Sequence, residues 1–183
     1  MSELRKANTD HAFFLTFTVV GWIDLFTRKE CCDIIIESLR YCQENKDLEI
    51  YAFVIMPSHI HLVARRKQGL MSDFIRDFKS HTAKEIILYV SEDIGESRKE
   101  WLLHMFRYHA KYQKQNKEFQ VWQKTSHPIE PGLCNRTILK FKKNILLHND
   151  EKLHKQEVFV SVNRAADRPD KAKLSSAIRA NYA

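Results

Sequence analysis

The sequence predicts an α+β domain of the ferredoxin or RRM type, an antiparallel sheet with helices packed on one face. Three observations predict it. Strand-like apolar runs and helix-periodic segments follow one another in the order β-α-β-β-α. Two of the strand runs are separated only by Pro57-Ser58, which requires an antiparallel hairpin. Two Ser/Thr-x-x-Glu boxes, Thr27–Glu30 and Ser97–Glu100, stand where helices should open.

The elements follow in chain order. Ala12–Val20 is apolar and rich in aromatic and β-branched residues, the composition of a buried strand. A loop over Gly21–Phe26 leads to the first capping box. Cys31, Ile34, Ile35, Leu39 and Cys42 then recur at helical spacing, up to Asn45-Lys46-Asp47. Glu49–Met56 and His59–Arg65 are the second and third strands. Ser72–Val90 is a helix with Phe74, Ile75, Phe78, Ile86, Ile87 and Val90 on its apolar stripe. The second box opens a helix carrying Trp101, Leu102, Met105 and Phe106. Lys111–Lys117 reads as a basic loop and Phe119–Trp122 as a short strand. Asn135 or Thr137 can cap a further helix bearing Ile138, Phe141 and Ile145. One apolar stretch, Val158–Val162, interrupts a charged tail. We expect one domain over residues 1–150 and a tail over 151–183 that packs on it or extends it.

Composition narrows the function. The chain has 183 residues, 44% of them apolar, with Gly and Pro at only 4 each. No G-x-G-x-x-G or Walker-type loop occurs, which removes the commonest nucleotide-binding folds. No apolar run approaches the roughly 18 residues needed to cross a bilayer. Met1–Asp10 is polar without a signal-peptide core, so a cytoplasmic, non-membrane protein is expected. Cys31, Cys32, Cys42 and Cys134 form no C-x-x-C pair and are expected as free thiols. The net charge of +7 favours a polyanionic partner such as nucleic acid, although solubility alone also accounts for it.

His59 and His61 are the most informative pair. Two apart on a strand, their side chains leave the same face, while Ile60 and Leu62 turn to the core. Two imidazoles side by side can hold one divalent metal, or can simply be solvated. The strand opens straight after a Pro-Ser turn, at a sheet end.

The block IYAFVIMPSHIHLV at Ile50–Val63 resembles the metal-binding strand of HUH single-strand DNA nucleases, and more specifically of REP-associated tyrosine transposases. Further blocks resemble that family in the same order. They are FFLTFTVVGWIDLFTRKE at Phe13–Glu30, MSDFIRDFKSHTAKEI at Met71–Ile86, ESRKEWLLHMF at Glu96–Phe106, FQVWQKTSHPIE at Phe119–Glu130 and LSSAIRANY at Leu174–Tyr182. The resemblance implies an HUH-type fold that binds a DNA hairpin and cuts the adjoining single strand. It implies Mg²⁺ or Mn²⁺ on His59 and His61, polarising the scissile phosphate. It also implies a tyrosine on a late helix that attacks phosphorus and stays joined to the 5′ phosphate.

The late helix departs from the pattern. The family's tyrosine lies one helical turn before an asparagine that completes the metal site. Asn149 matches the asparagine, but the position four before it is Ile145, and no tyrosine lies between Tyr112 and Tyr182. The family's Asn-Pro step is Asn149-Asp150 here. Isoleucine cannot attack a phosphate. Tyr108, Tyr112 and Tyr182 are the tyrosines that could substitute, and His148 could ligate metal or activate water; each also has a plain reading as packing or surface.

Arg65, Arg66, Arg76, Lys79, Lys111, Lys114 and Lys124 could neutralise phosphates. Trp122 could stack on an unpaired base or sit in the core. Three readings remain open at this level: an active transposase, a domesticated DNA-binding relative that cuts nothing, and a metal-dependent hydrolase using water. A homodimer is compatible with each.

Overall fold

A computed structural model describes residues 12–92, 97–112 and 118–126, together with the backbone of 159–162. The elements are β1 (Phe13–Thr18), α1 (Lys29–Asn45), β2 (Leu48–Met56), β3 (His59–Arg66), α2 (Met71–Glu92), α3 (Lys99–Lys111) and β4 (Phe159–Val162). Two 3₁₀ turns, Val20–Trp22 and Leu25–Thr27, lie between β1 and α1. The sheet order is β1-β3-β2-β4, and every neighbouring pair is antiparallel. β1 and β2 therefore run parallel with β3 inserted between them. The α1 crossover makes this a split βαβ unit, the α+β class expected from the sequence. The apolar stretch in the tail supplies β4, which pairs with β2.

The core follows from strand alternation. Phe13, Leu15 and Phe17 of β1 and Ile60 and Leu62 of β3 share one cluster with Ile35 and Leu39 of α1, Phe74, Phe78 and Ile86 of α2, and Leu102 and Phe106 of α3. On β2 the inward positions are Leu48 and Ile50, then Phe53 and Ile55. The change of parity comes from a bulge between Ile50 and Ala52, which inserts one residue and turns the later side chains over. The opposite face carries Phe14, Thr16, His59 and His61. It is less open than the sequence implied, because Ala52, Val54 and Val63 on that side are also buried.

Three local expectations are corrected. Neither capping box forms. Thr27 ends a 3₁₀ turn, where its hydroxyl donates to the Asp24 carbonyl, and the N-cap position of α1 falls on Arg28, which makes no side-chain cap. α3 likewise starts after Arg98, whose guanidinium donates instead to Asp24 Oδ1 at 2.8 Å. Phe119–Trp122 makes only an isolated bridge, Val19 to Trp122. The segment runs along the outer edge of β1: Val20 N–H donates to the Val121 carbonyl at 2.8 Å, Gln123 N–H to Thr18 at 2.9 Å and Thr16 N–H to Ser126 at 3.2 Å. It thereby covers an edge that would otherwise present unpaired backbone groups.

Cys31, Cys32 and Cys42 are buried free thiols, and burial pushes the Cys42 thiol up. No helix among the described residues is long and apolar enough to cross a membrane. The expected helix with Ile138, Phe141 and Ile145, and with it His148, Asn149 and Cys134, lies outside the described residues, as does Tyr182.

Candidate metal and DNA site

β3 starts at His59 because Pro57-Ser58 closes the hairpin, and the turn is held from both sides. Val19 N–H donates to the Ser58 carbonyl at 2.9 Å and Phe26 N–H to the Pro57 carbonyl at 2.8 Å. The register places His59 between Thr18 and Met56, and His61 between Thr16 and Val54. The two imidazoles leave the same face with ring centroids 4.8 Å apart. The spacing predicted from H-x-H is therefore realised.

The second ring nitrogen of each histidine lies within reach of a hydroxyl. His61 Nδ1 lies 3.0 Å from Thr16 Oγ1, and His59 Nδ1 lies 3.2 Å from Ser58 Oγ. With each Nδ1–H donating to its hydroxyl, Nε2 becomes the lone-pair nitrogen on both rings, the tautomer a cation needs. Burial lowers the affinity of His59 for a proton; for His61, burial and the neighbouring His59 bring it from 6.5 to about 4. Both rings are therefore neutral near pH 7, as ligands must be. Among the described residues no third His, Cys, Asp or Glu joins them.

Because protonation is harder in the folded chain than in the unfolded one, the two histidines' contribution to stability is complete above about pH 6.5. It is lost as pH falls from 6.5 toward 4. Urea denaturation on either side of that window is expected to show lower stability on the acid side. His61→Gln should flatten the difference; an unchanged pH slope would show that other groups set it.

Aromatic rings flank the pair. Phe14 stacks on His61 at 5.3 Å, and Trp22 stands edge-on to His59 at 5.5 Å. Trp22 has φ 55 and Gly21 φ 63, so two consecutive residues occupy the left-handed region. For tryptophan this costs about 1–2 kcal/mol. His109 Nε2 lies 3.0 Å from where a Cβ of residue 21 would be, so a side chain there would crowd the imidazole as well as strain the backbone. Thr16, Ser58, Phe14 and Trp22 were not singled out from the sequence as site residues. The register that sets Thr16 beside His61 is a long-range property, and only the Gly21-Trp22 step hints at the loop.

The expected DNA contacts divide. Trp122 is in the core: it stacks on Phe26, meets the edge of Phe17, and its indole N–H donates to the buried Thr82 hydroxyl at 3.0 Å. It offers no face to a base. Lys79 is turned inward, donating to the Gln123 carbonyl at 2.8 Å, with burial lowering its ammonium to about 8. Arg65 pairs with Glu49 at 2.6 Å, and Arg76 pairs with Asp73 and Asp77 at 3.0 Å each. Arg66 donates to the Lys46 and Leu70 carbonyls. These basic groups are drawn to partners within the protein. Lys111 and Lys124 are exposed, and Lys114 lies outside the described residues. Tyr108 and Tyr112 are exposed near the end of α3 with rings 4.7 Å apart.

A protein-family model described as "Transposase IS200 like" matches residues 23–124, more than half of the chain and inclusive of the hairpin. No curated protein matches. Among solved structures, one similar chain is a REP-associated tyrosine transposase bound to a REP hairpin. It is 17% identical with a TM-score of 0.44, over 71% of this chain and 62% of that one. This chain thus spans less than two thirds of that protein's length. Another is from Deinococcus radiodurans R1 and is described as "a putative transposase". It is 17% identical with a TM-score of 0.46, over 73% of this chain and 88% of that one.

Proposed function

The chain belongs to the IS200-like transposase family, and on that premise we propose that it binds a DNA hairpin and its adjoining single strand across the His59–His61 face. The observation that carries the proposal is the histidine pair: two neutral imidazoles on one face, 4.8 Å apart, each with Nδ1 beside a hydroxyl. Of Mg²⁺ and Mn²⁺, two imidazoles with further oxygen ligands from phosphate and water suit Mn²⁺ better, because Mg²⁺ prefers a shell of oxygens alone. When bound, the cation would offset charge building on a phosphate. His59 and His61 would hold it, and Thr16 and Ser58 would orient them. Asn149 is the third ligand implied by the sequence resemblance.

Where the family's tyrosine is expected the sequence has Ile145, so cutting needs a substitute nucleophile, another tyrosine or water. Incubation of the chain with a labelled, flanked hairpin and Mn²⁺, run on a denaturing gel, separates the readings. A covalent protein–DNA band means a substitute tyrosine, free ends mean water, and intact DNA with a shift on a native gel means a binding relative. Absence of any shift at low salt would overturn the proposal.

The hydroxyl beside His61 has its own expected effect. Thr16→Val removes the Nδ1 partner at nearly constant volume, and Mn²⁺ affinity should fall about 10–100-fold by isothermal titration. Unchanged affinity would mean that Thr16 does not orient the ring.

A further inference from the structure

We infer that Trp22 is a stacking platform for an unpaired base beside the phosphate engaged at the histidine pair. The inference rests on the proposed DNA-binding function and assigns one residue within it.

The argument is geometric. Trp22 is 61% exposed, whereas Trp122 is 5% exposed and inside the core. Trp22 is also the exposed tryptophan that touches His59, edge-on at 5.5 Å. The two rings are T-shaped to one another, at 73°, so the imidazole does not stack on the indole, and most of the Trp22 surface is open to solvent. Exposing so large an apolar ring is unfavourable, and it is done here from a left-handed backbone that tryptophan rarely adopts. Strained backbone beside a candidate site marks a position held for function rather than for packing. The strain is held in place by built features: a Cβ at residue 21 would come within 3.0 Å of His109 Nε2, Trp22 N–H donates to the Val19 carbonyl at 3.1 Å, and Val19 N–H is bonded to the hairpin turn that begins β3.

The chemistry of the occupant follows. An indole face next to two metal-ligating imidazoles suits a ligand with a phosphate and a flat π system one bond chain away, which is a nucleotide in single-stranded form. Base–aromatic stacking tolerates any base, so Trp22 would add affinity for unpaired flank without choosing its sequence. A base inside duplex stem has its faces covered and would gain nothing.

The test uses the full chain with a fluorescein-labelled DNA hairpin carrying an oligo(dT) flank, the same hairpin without a flank, and one with abasic flank positions. Affinities are measured by anisotropy for wild type, Trp22→Ala, Trp22→Leu and Trp22→Phe. Trp22→Ala is expected to weaken the flanked hairpin about 10-fold, the loss typical of one base stack. Trp22→Leu should weaken it similarly and Trp22→Phe much less. Affinity for the unflanked hairpin should not change, and an abasic nucleotide at one flank position should erase the difference between wild type and Trp22→Ala. If Trp22→Ala fails to fold by circular dichroism, the comparison of Leu with Phe carries the same test. Equal losses with and without the flank, or no loss, would overturn the inference while leaving DNA binding standing. So would a changed sedimentation coefficient in place of a changed DNA affinity, which would assign Trp22 to a protein contact. If wild type binds none of the three DNAs, the proposed function fails and this inference with it.

Discussion

Replacing His59 and His61 together by alanine is expected to abolish Mn²⁺ binding and any metal-dependent cutting, while the domain still unfolds cooperatively. Loss of a residue that merely orients a ligand lowers metal affinity about 10–100-fold, so loss of both ligands should exceed that range. The cost to stability should be about 1 kcal/mol or less, because both side chains lie on the half-buried face and outside the main core. Isothermal titration with Mn²⁺ measures the first and urea denaturation the second. Undiminished Mn²⁺ binding by the double variant would remove the histidine pair from the metal site. Retained DNA binding beside lost metal binding would separate the two halves of the proposed function, and would place hairpin recognition elsewhere on the surface.

Phe17→Ala should give the largest loss of stability, about 3–5 kcal/mol. Phe17 is fully buried where β1, α2 and the 119–124 segment meet. Its ring packs on Phe78 at 5.0 Å, on Trp122 at 6.2 Å and on Phe74 at 6.4 Å, so truncation opens a cavity with three stiff aromatic walls. Such walls collapse poorly, which is the condition for a high cavity cost. A loss of this size is a large part of the roughly 5–15 kcal/mol that a domain commands. Phe17→Leu should cost much less. A loss below about 1 kcal/mol for the alanine variant, measured by urea denaturation, would show that the wall relaxes into the space.

The candidate site was legible where its signal is local. H-x-H on a strand sets two side chains on one face whatever lies around them, and the Pro-Ser turn fixes where that strand begins. The basic stripe was less legible. Arg65, Arg76 and Lys79 look alike in a sequence, yet Arg65 lies beside Glu49, Arg76 beside two aspartates, and Lys79 under two carbonyls of a segment more than forty residues later. Trp122 shows the same limit: an aromatic among basic residues reads as a stacking group until the partner elements that enclose it are known. Capping boxes failed for a related reason. A threonine hydroxyl caps a helix by accepting an N–H from its first turn, and only from the N-cap position; Thr27 closes a 3₁₀ turn instead, and Arg28 takes that position.

Local sequence alone sets the class of the domain, the order of its first three strands and two helices, and the common face of His59 and His61. Each depends on periodicity and tight-turn chemistry, which act over a few residues. Long-range packing sets the rest: β3 lies between β1 and β2, a bulge reverses β2, Thr16 stands beside His61, and Trp22 rather than Trp122 is the exposed indole beside the histidines. These depend on strand register and on which distant side chains compete for the same hydrogen bonds and the same core volume. Such competition is settled by packing the whole chain, and no short window of sequence contains it.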